Sequence, residues 1–403
     1  MSYVIKAVLS NPQCPGYGQI TVPFPIPDQE YDQTMELLSG LEIGDALEQD
    51  CRVNEQDSWY GVLDVLEGTT VNVDELDYLA KRLDSFCEDE STQFQAMAHK
   101  LGVTGVRDFI NLTFCCEQAT VITDFSDLEA VGRSHFMNLH GGSAPTEELE
   151  NLDGVETALL LIDGGGEAVT PYGVVYDNGM ELEQLYDGRQ LPAYLYDVHP
   201  LVLKVTVKDM PDIKPGYLYL PTPQQKIERT LLRFGAGAEA DFQFGLAFHD
   251  LPEQIMFTAD LDHLGAADIP ALNRMCQAIK GLSPPERKKL EAAAMLAMPH
   301  GPDAVRRLAE NLEQFDFVPG VKTPEEYGKY MIQESGHFQY DENLEGFYNF
   351  LGYGLQRTEK EQGQFNTLGY IAYQGATPLE KLLRKDPAEE PQQNQGLQMG
   401  GMA

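Results

Sequence analysis

The chain has 403 residues, 42% of them hydrophobic, which is enough for two or more domains with packed cores. Its 64 acidic residues against 28 basic ones give a net charge of −36, a field that repels nucleic acid and attracts basic surfaces over long range. These figures exclude a phosphate-tracking nucleic-acid binder. They also exclude a disordered chain, since apolar periodic segments run throughout, and a membrane-spanning helix, since no apolar run nears the roughly 18 residues a span needs.

The acidity is uneven. Residues 1–200 hold 36 acids and 8 bases, whereas residues 201–403 hold 28 and 20. Halophilic adaptation would acidify both halves alike, so it does not account for the pattern, and solubility remains the plain explanation. At one charge per roughly 1.7 Å of duplex, the total matches roughly 60 Å of DNA. The start MSYVIKAVLS lacks a signal-peptide pattern. Cys14, Cys51, Cys87, Cys115, Cys116 and Cys276 have neither a disulfide framework nor a CxxC pair. Both features predict a cytoplasmic protein with free thiols.

In chain order, residues 3–9 (YVIKAVL) read as a strand, 11–18 as a loop and 20–24 as a second strand closed by Pro25 and Pro27. Asp28 is the expected cap of a helix through about Leu38, with Tyr31, Met35 and Leu38 on one face. Residues 41–65 predict short strands with an acidic surface. In 71–86 (VNVDELDYLAKRLDSF), Leu76, Leu79, Leu83 and Phe86 recur at helical spacing, and the other face carries Asp74, Glu75, Asp77 and Asp84. Helices are expected at 91–101 and 106–112, with Glu88-Asp89-Glu90 as a solvated loop before them. A strand is expected at 118–123, then a helix capped by Asp124 or Ser126 and running to about Met137. A glycine-rich loop at 138–145 leads to a helical turn at 145–152. Strands are read at 158–162 and 169–176, with turns at 163–166 and 177–179.

The order then recurs 196 positions later. VLKVTV at 202–207 matches VIKAVL at 4–9, and Pro221 and Pro223 match Pro25 and Pro27. Leu272, Met275, Ile279 and Leu282 repeat the helical face at 71–86. Gly328, Gly369 and Gly375 match Gly132, Gly173 and Gly179. The pattern predicts an α+β chain of two tandem units, 1–190 and 196–385. The first divides into an α/β part at 1–70, a helical part at 71–138 and an α/β part at 139–190. Residues 386–403 read as a disordered tail.

No catalytic signature emerges. HExxH, GxSxG, a P-loop and GxGxxG after a strand are all missing from the sequence. His135 and His337 read as surface or capping histidines, and DGGG at 163–166 as a turn. Cys115-Cys116 reads as a buried pair. Glu88-Asp89-Glu90 lacks the spacing of a calcium loop. Carboxylate pairs are so numerous that none stands out as a general acid. Arg287-Lys288-Lys289 reads as a solvated helix face or as a contact for the acidic half of another copy.

The stretches 272–282, 327–338 (YGKYMIQESGHF), 344–354 (LEGFYNFLGYG) and 363–373 (GQFNTLGYIAY) resemble the ArdA antirestriction proteins of conjugative elements. The first unit is similar in order, best over 71–137. The whole chain resembles the long, tandem-unit form from mobile elements of gut Firmicutes. The resemblance implies an elongated α+β protein whose carboxylates imitate DNA phosphates. Such a protein fills the DNA-binding groove of type I restriction–modification enzymes, and no catalysis, cofactor or metal is implied. It also implies a homodimer or, given two units, an intrachain pseudo-dimer.

The candidate mimic residues are the acids expected on exposed faces: Asp74, Glu75, Asp77, Asp84, Glu88, Asp89, Glu90, Asp124, Asp127, Glu129, Glu147, Glu148 and Glu150. The charge asymmetry places the mimic surface mainly on unit one. Two other readings remain. One is an acidic non-catalytic adaptor for a basic protein partner of the same mobile element. The other is an enzyme with an unrecognised site.

Overall fold

Alternation along Ile5–Ser10 turns Ile5, Ala7 and Leu9 inward and leaves Lys6 in water. This strand pairs antiparallel with Gln19–Phe24 on one side and Cys51–Ser58 on the other, and Thr70–Val71 closes the outer edge of the four-stranded sheet. The computed structural model describes residues 3–235, 241–258 and 264–384. Helices make up 47% and antiparallel sheets 17%, a mixed α+β fold. The expected tail at 386–403 lies outside the described residues.

Helix Asp28–Gly40 buries Tyr31, Met35 and Leu38, the face that periodicity selects. Its N-cap is Pro27, so Asp28 lies inside the first turn, where a carboxylate meets the positive end of the helix dipole. The stretch expected as short strands holds one eight-residue strand, Cys51–Ser58, and a 3-10 segment, Gly61–Leu66. Helix Val73–Asp84 starts at Asn72, whose side-chain oxygen accepts from the amides of Asp74 and Glu75. Helices Glu88–Leu101 and Val106–Leu112 follow, the first ended by Gly102 at φ 64°.

Three local expectations need correction. Glu88-Asp89-Glu90 is not a loop but the first turn of a helix, because Glu90 reaches back to the amide of Cys87. The cap of helix Leu128–Leu139 is Asp127, not Asp124 or Ser126. Residues 158–162 are not a strand: they lie inside helix Gly154–Gly164, which Asp153 caps.

One continuous apolar core joins the first sheet, helix Asp28–Gly40 and the three middle helices, and reaches Val175 and Tyr186. The parts 1–70 and 71–138 of the first unit therefore share packed side chains. The chain divides into two compact units, but not at the expected junction. Unit 1 comprises Met1–Val198 with Lys204–Leu218 and Thr222–Phe242. Unit 2 comprises His199–Leu203, Tyr219–Pro221 and Gln243–Ala403. Helix Gln224–Leu232 thus belongs to unit 1, and the reason is ionic, as described below.

Within unit 2, Ile269–Lys280 buries Leu272, Met275, Cys276 and Ile279 and leaves Pro270, Arg274 and Gln277 exposed. Many elements start 196 positions apart: helices at Val73 and Ile269, Glu88 and Pro284, Val106 and Pro302, Leu128 and Pro324, Gly154 and Phe350. The pairing of strands follows the same shift. Thr120 pairs with Tyr176 and Ile122 with Val174, while Asp316 pairs with Ala372 and Val318 with Tyr370. Ala168 pairs with Val175 and Gln364 with Ile371.

Helix packing follows it too. A methyl on Gly132 would lie 1.8 Å from the carbonyl oxygen of Gly154, and one on Gly328 would lie 1.9 Å from that of Phe350. Each glycine lets two helix backbones touch. Among the described residues, no helix is long and apolar enough to cross a membrane.

Candidate partner-binding surface

The thirteen acids expected to share one exposed surface fall into two classes. Asp74, Glu75 and Asp77 are buried, at 9%, 3% and 4% exposure. Their expected exposure is corrected: the leucines of helix Val73–Asp84 face the core, and Asp74, Glu75 and Asp77 are covered by Arg229, by Tyr186 and by Lys81 of the same helix. Arg229 lies against Asp74 with Nε 3.0 Å and Nη2 2.8 Å from Oδ2, and Tyr31 donates to Oδ1 at 2.7 Å. Arg229 also donates to the carbonyls of Gly44 and Asp45.

One turn further along, buried Arg233 donates to the carbonyls of Ala46 and Arg189 and to the Tyr186 hydroxyl. Tyr186 in turn donates to Glu75 at 2.6 Å. Burial raises the Glu75 carboxyl above its ordinary range, with the Tyr186 hydroxyl and Arg233 opposing the shift.

Asp77 accepts from the Ile26 amide and from Lys81, both at 2.7 Å. Burial alone would raise this carboxyl, but Lys81, Lys226 and the Ile26 amide hold it below its usual value. Lys226 feels the reverse: burial and neighbouring Lys81 push its amine down to about 8, although Asp77 and Asp28 oppose this. Arg229 and Arg233, four positions apart, mark a cationic face of this segment in the sequence, but nothing local links it to helix Val73–Asp84. The network is a polar clamp that holds helix Gln224–Leu232 on unit 1, and it offers no carboxylate to a partner.

The remaining ten acids sit at three places. Asp84 ends the central helix and accepts from the Tyr196 hydroxyl. Glu88 and Asp89 are exposed in the next helix's first turn, with Glu90 half-buried beside them. Asp124, Asp127 and Glu129 surround the start of helix Leu128–Leu139. The amide and hydroxyl of Ser126 keep the Asp124 carboxyl below its ordinary range. Glu147, Glu148 and Glu150 are exposed on helix Thr146–Glu150, which Arg133 ties to its neighbour through the Leu149 carbonyl.

Among the described residues only Glu129 of these ten has an ion pair, to Arg133 at 3.9 Å. Acids at helix starts are held by dipoles and amides rather than by cations. Their charge therefore stays uncompensated toward solvent.

Other candidates resolve as structural groups. His135 meets the Thr120 hydroxyl at 2.9 Å, and burial lowers its pKa. Cys115 and Cys116 are buried and burial pushes their thiols up, to about 11 for Cys115, so neither presents a thiolate at neutral pH. Arg287 pairs with Asp250 at 2.7 Å. Among the described residues no three His, Cys, Asp or Glu side chains converge as a metal site requires. Compared with known proteins, the chain matches no family model and no curated protein.

Proposed function

We propose that this protein is a non-catalytic DNA mimic of the antirestriction type, which occupies the DNA-binding groove of a type I restriction–modification enzyme. The observation that carries this reading is the set of exposed carboxylates Asp84, Glu88, Asp89, Asp124, Asp127, Glu147, Glu148 and Glu150, at or beside helix ends and without an ion pair among the described residues. A mimic needs regular negative charge on a scaffold that pays no ordering cost at binding, and helix termini supply it. The resemblance of 272–282, 327–338, 344–354 and 363–373 to ArdA proteins supports the same reading. We further infer that the chain is a tandem duplication, supported by strand registers and helix-contact glycines that recur 196 positions apart. The second unit's helix Ile269–Lys280 carries no counterpart of the buried carboxylates. The 20 bases of residues 201–403 also blunt the charge of that half, so we place the mimic surface mainly on the first unit.

The test is in vitro cleavage by a type I enzyme with the full chain added. Inhibition should fall when Asp84, Glu88, Asp89, Glu147, Glu148 and Glu150 are changed together to their amides. Undiminished inhibition by that variant would refute the assignment of the surface.

A further inference from the structure

Trp59 is the only tryptophan of the chain, and it is 74% exposed. It follows strand Cys51–Ser58 at the end of the first sheet's open face, where the register sets Lys6 opposite Asp57 and Val8 opposite Glu55. With Tyr3, Val4, Asp57 and Ser58 it lines a depression of about 370 Å³. The floor is fixed. Val4 is buried, its amide donates to the Phe24 carbonyl at 2.8 Å, and the Ser58 hydroxyl donates to the Val4 carbonyl at 2.8 Å. One wall is fixed as well, because the Tyr3 hydroxyl donates to Asp57 Oδ2 at 2.7 Å. Glu55 and Asp57 both stand exposed on this face.

The chemistry of this depression selects its occupant. An indole held out in water offers an electron-rich face, and the Asp57 carboxylate beside it offers acceptor oxygens. Residues 41–70 add eight acids against the single base Arg52, so the surroundings disfavour an anion although the Lys6 ammonium stands 5.7 Å from the Tyr3 ring. A guanidinium satisfies both features at once: its plane stacks on the indole while its N–H groups reach the carboxylate. An ammonium is a point charge that holds its water more tightly.

We propose that the Trp59–Asp57 depression is a receptor for an arginine side chain presented by a basic protein segment. It is a discrete anchor, separate from the distributed carboxylates of the helix starts, and it stands whether or not the mimic reading does. It belongs to the first unit alone, since Trp59 is the only tryptophan of the chain and strand Phe242–His249 is followed by Asp250.

Because Trp59 is the sole indole, its emission reports this site without labelling. A hexa-arginine peptide titrated into the full chain at about 0.15 M salt should shift the emission to saturation. Asp57→Asn should weaken that binding by about fivefold or more. Asp57 is exposed, so the variant probes binding and not folding. Glu147→Gln, an equal charge change elsewhere, should alter it by less than about twofold. Calorimetry with Trp59→Leu should show a loss comparable to that of Asp57→Asn. The proposal is overturned if the arginine peptide leaves the emission unchanged, if the two charge variants weaken binding equally, or if hexa-lysine serves as well as hexa-arginine. A single-stranded oligonucleotide that shifts the emission when the peptide does not would overturn it too.

Discussion

Arg229 grips Asp74 through two of its nitrogens, and Tyr31 holds the same carboxylate from another side. Removing the guanidinium by Arg229→Ala would strand a carboxylate that is 90% buried, a loss of about 3 kcal/mol. Urea unfolding of the full chain would measure it as a lowered midpoint. Lys226 gives a pH signature of opposite character. Its native pKa lies near 8 against 10.5 for the free amine, so between those values the native state holds fewer protons than the unfolded one. Its cost is fully present below pH 8 and is relieved as pH rises toward 10.5. The stability of the parent chain relative to Lys226→Gln should therefore climb through that window. A pH-independent difference would show that burial and Lys81 do not govern this amine.

At the level of elements, the leucine faces were readable because core burial repeats with the helix. Leu76, Leu79 and Leu83, and again Leu272, Met275 and Ile279, are all buried. The polar face of Val73–Asp84 was not readable, since the cation that neutralises Asp74 lies 155 residues away in sequence. Local pattern reads acids as solvated unless a distant base is known to meet them. The run ALLLI at 158–162 failed for another reason. A short unbroken apolar stretch has no period, and only the Asp153 cap distinguishes helix from strand there. Trp59 is a single exposed residue with no pattern to announce it.

Where two helices touch through glycine, the sequence offset and the packing agree. Gly328→Ala would force its methyl against the Phe350 carbonyl, separating helices Pro324–Gln333 and Phe350–Glu361 at a cost of about 1–3 kcal/mol or more. Gly132→Ala should do the same to the first unit's pair, and thermal melts of both variants test it. A fragment ending at Val198 should be less stable than one ending at Phe242. It lacks both arginines of the clamp and leaves Asp74 and Glu75 buried without them. Equal melting temperatures for the two fragments would contradict the clamp.

On the scale of the whole molecule, charge is the property that the proposed function uses. The acids in residues 1–200 outnumber the bases 36 to 8, and this half contributes most of the −36 total. The clamp consumes a few of those acids as internal structure, which narrows the proposed mimic surface to the exposed carboxylates at helix ends. A ligand that binds through many such charges loses little from any single change but responds steeply to ionic strength. The most direct measurement is equilibrium competition. Labelled duplex is bound to a type I restriction–modification enzyme, and the full chain is titrated in at several salt concentrations. The account predicts complete displacement at low salt, with an apparent affinity that falls steeply as salt rises. Failure to displace the duplex at low salt, or displacement indifferent to salt, would contradict it.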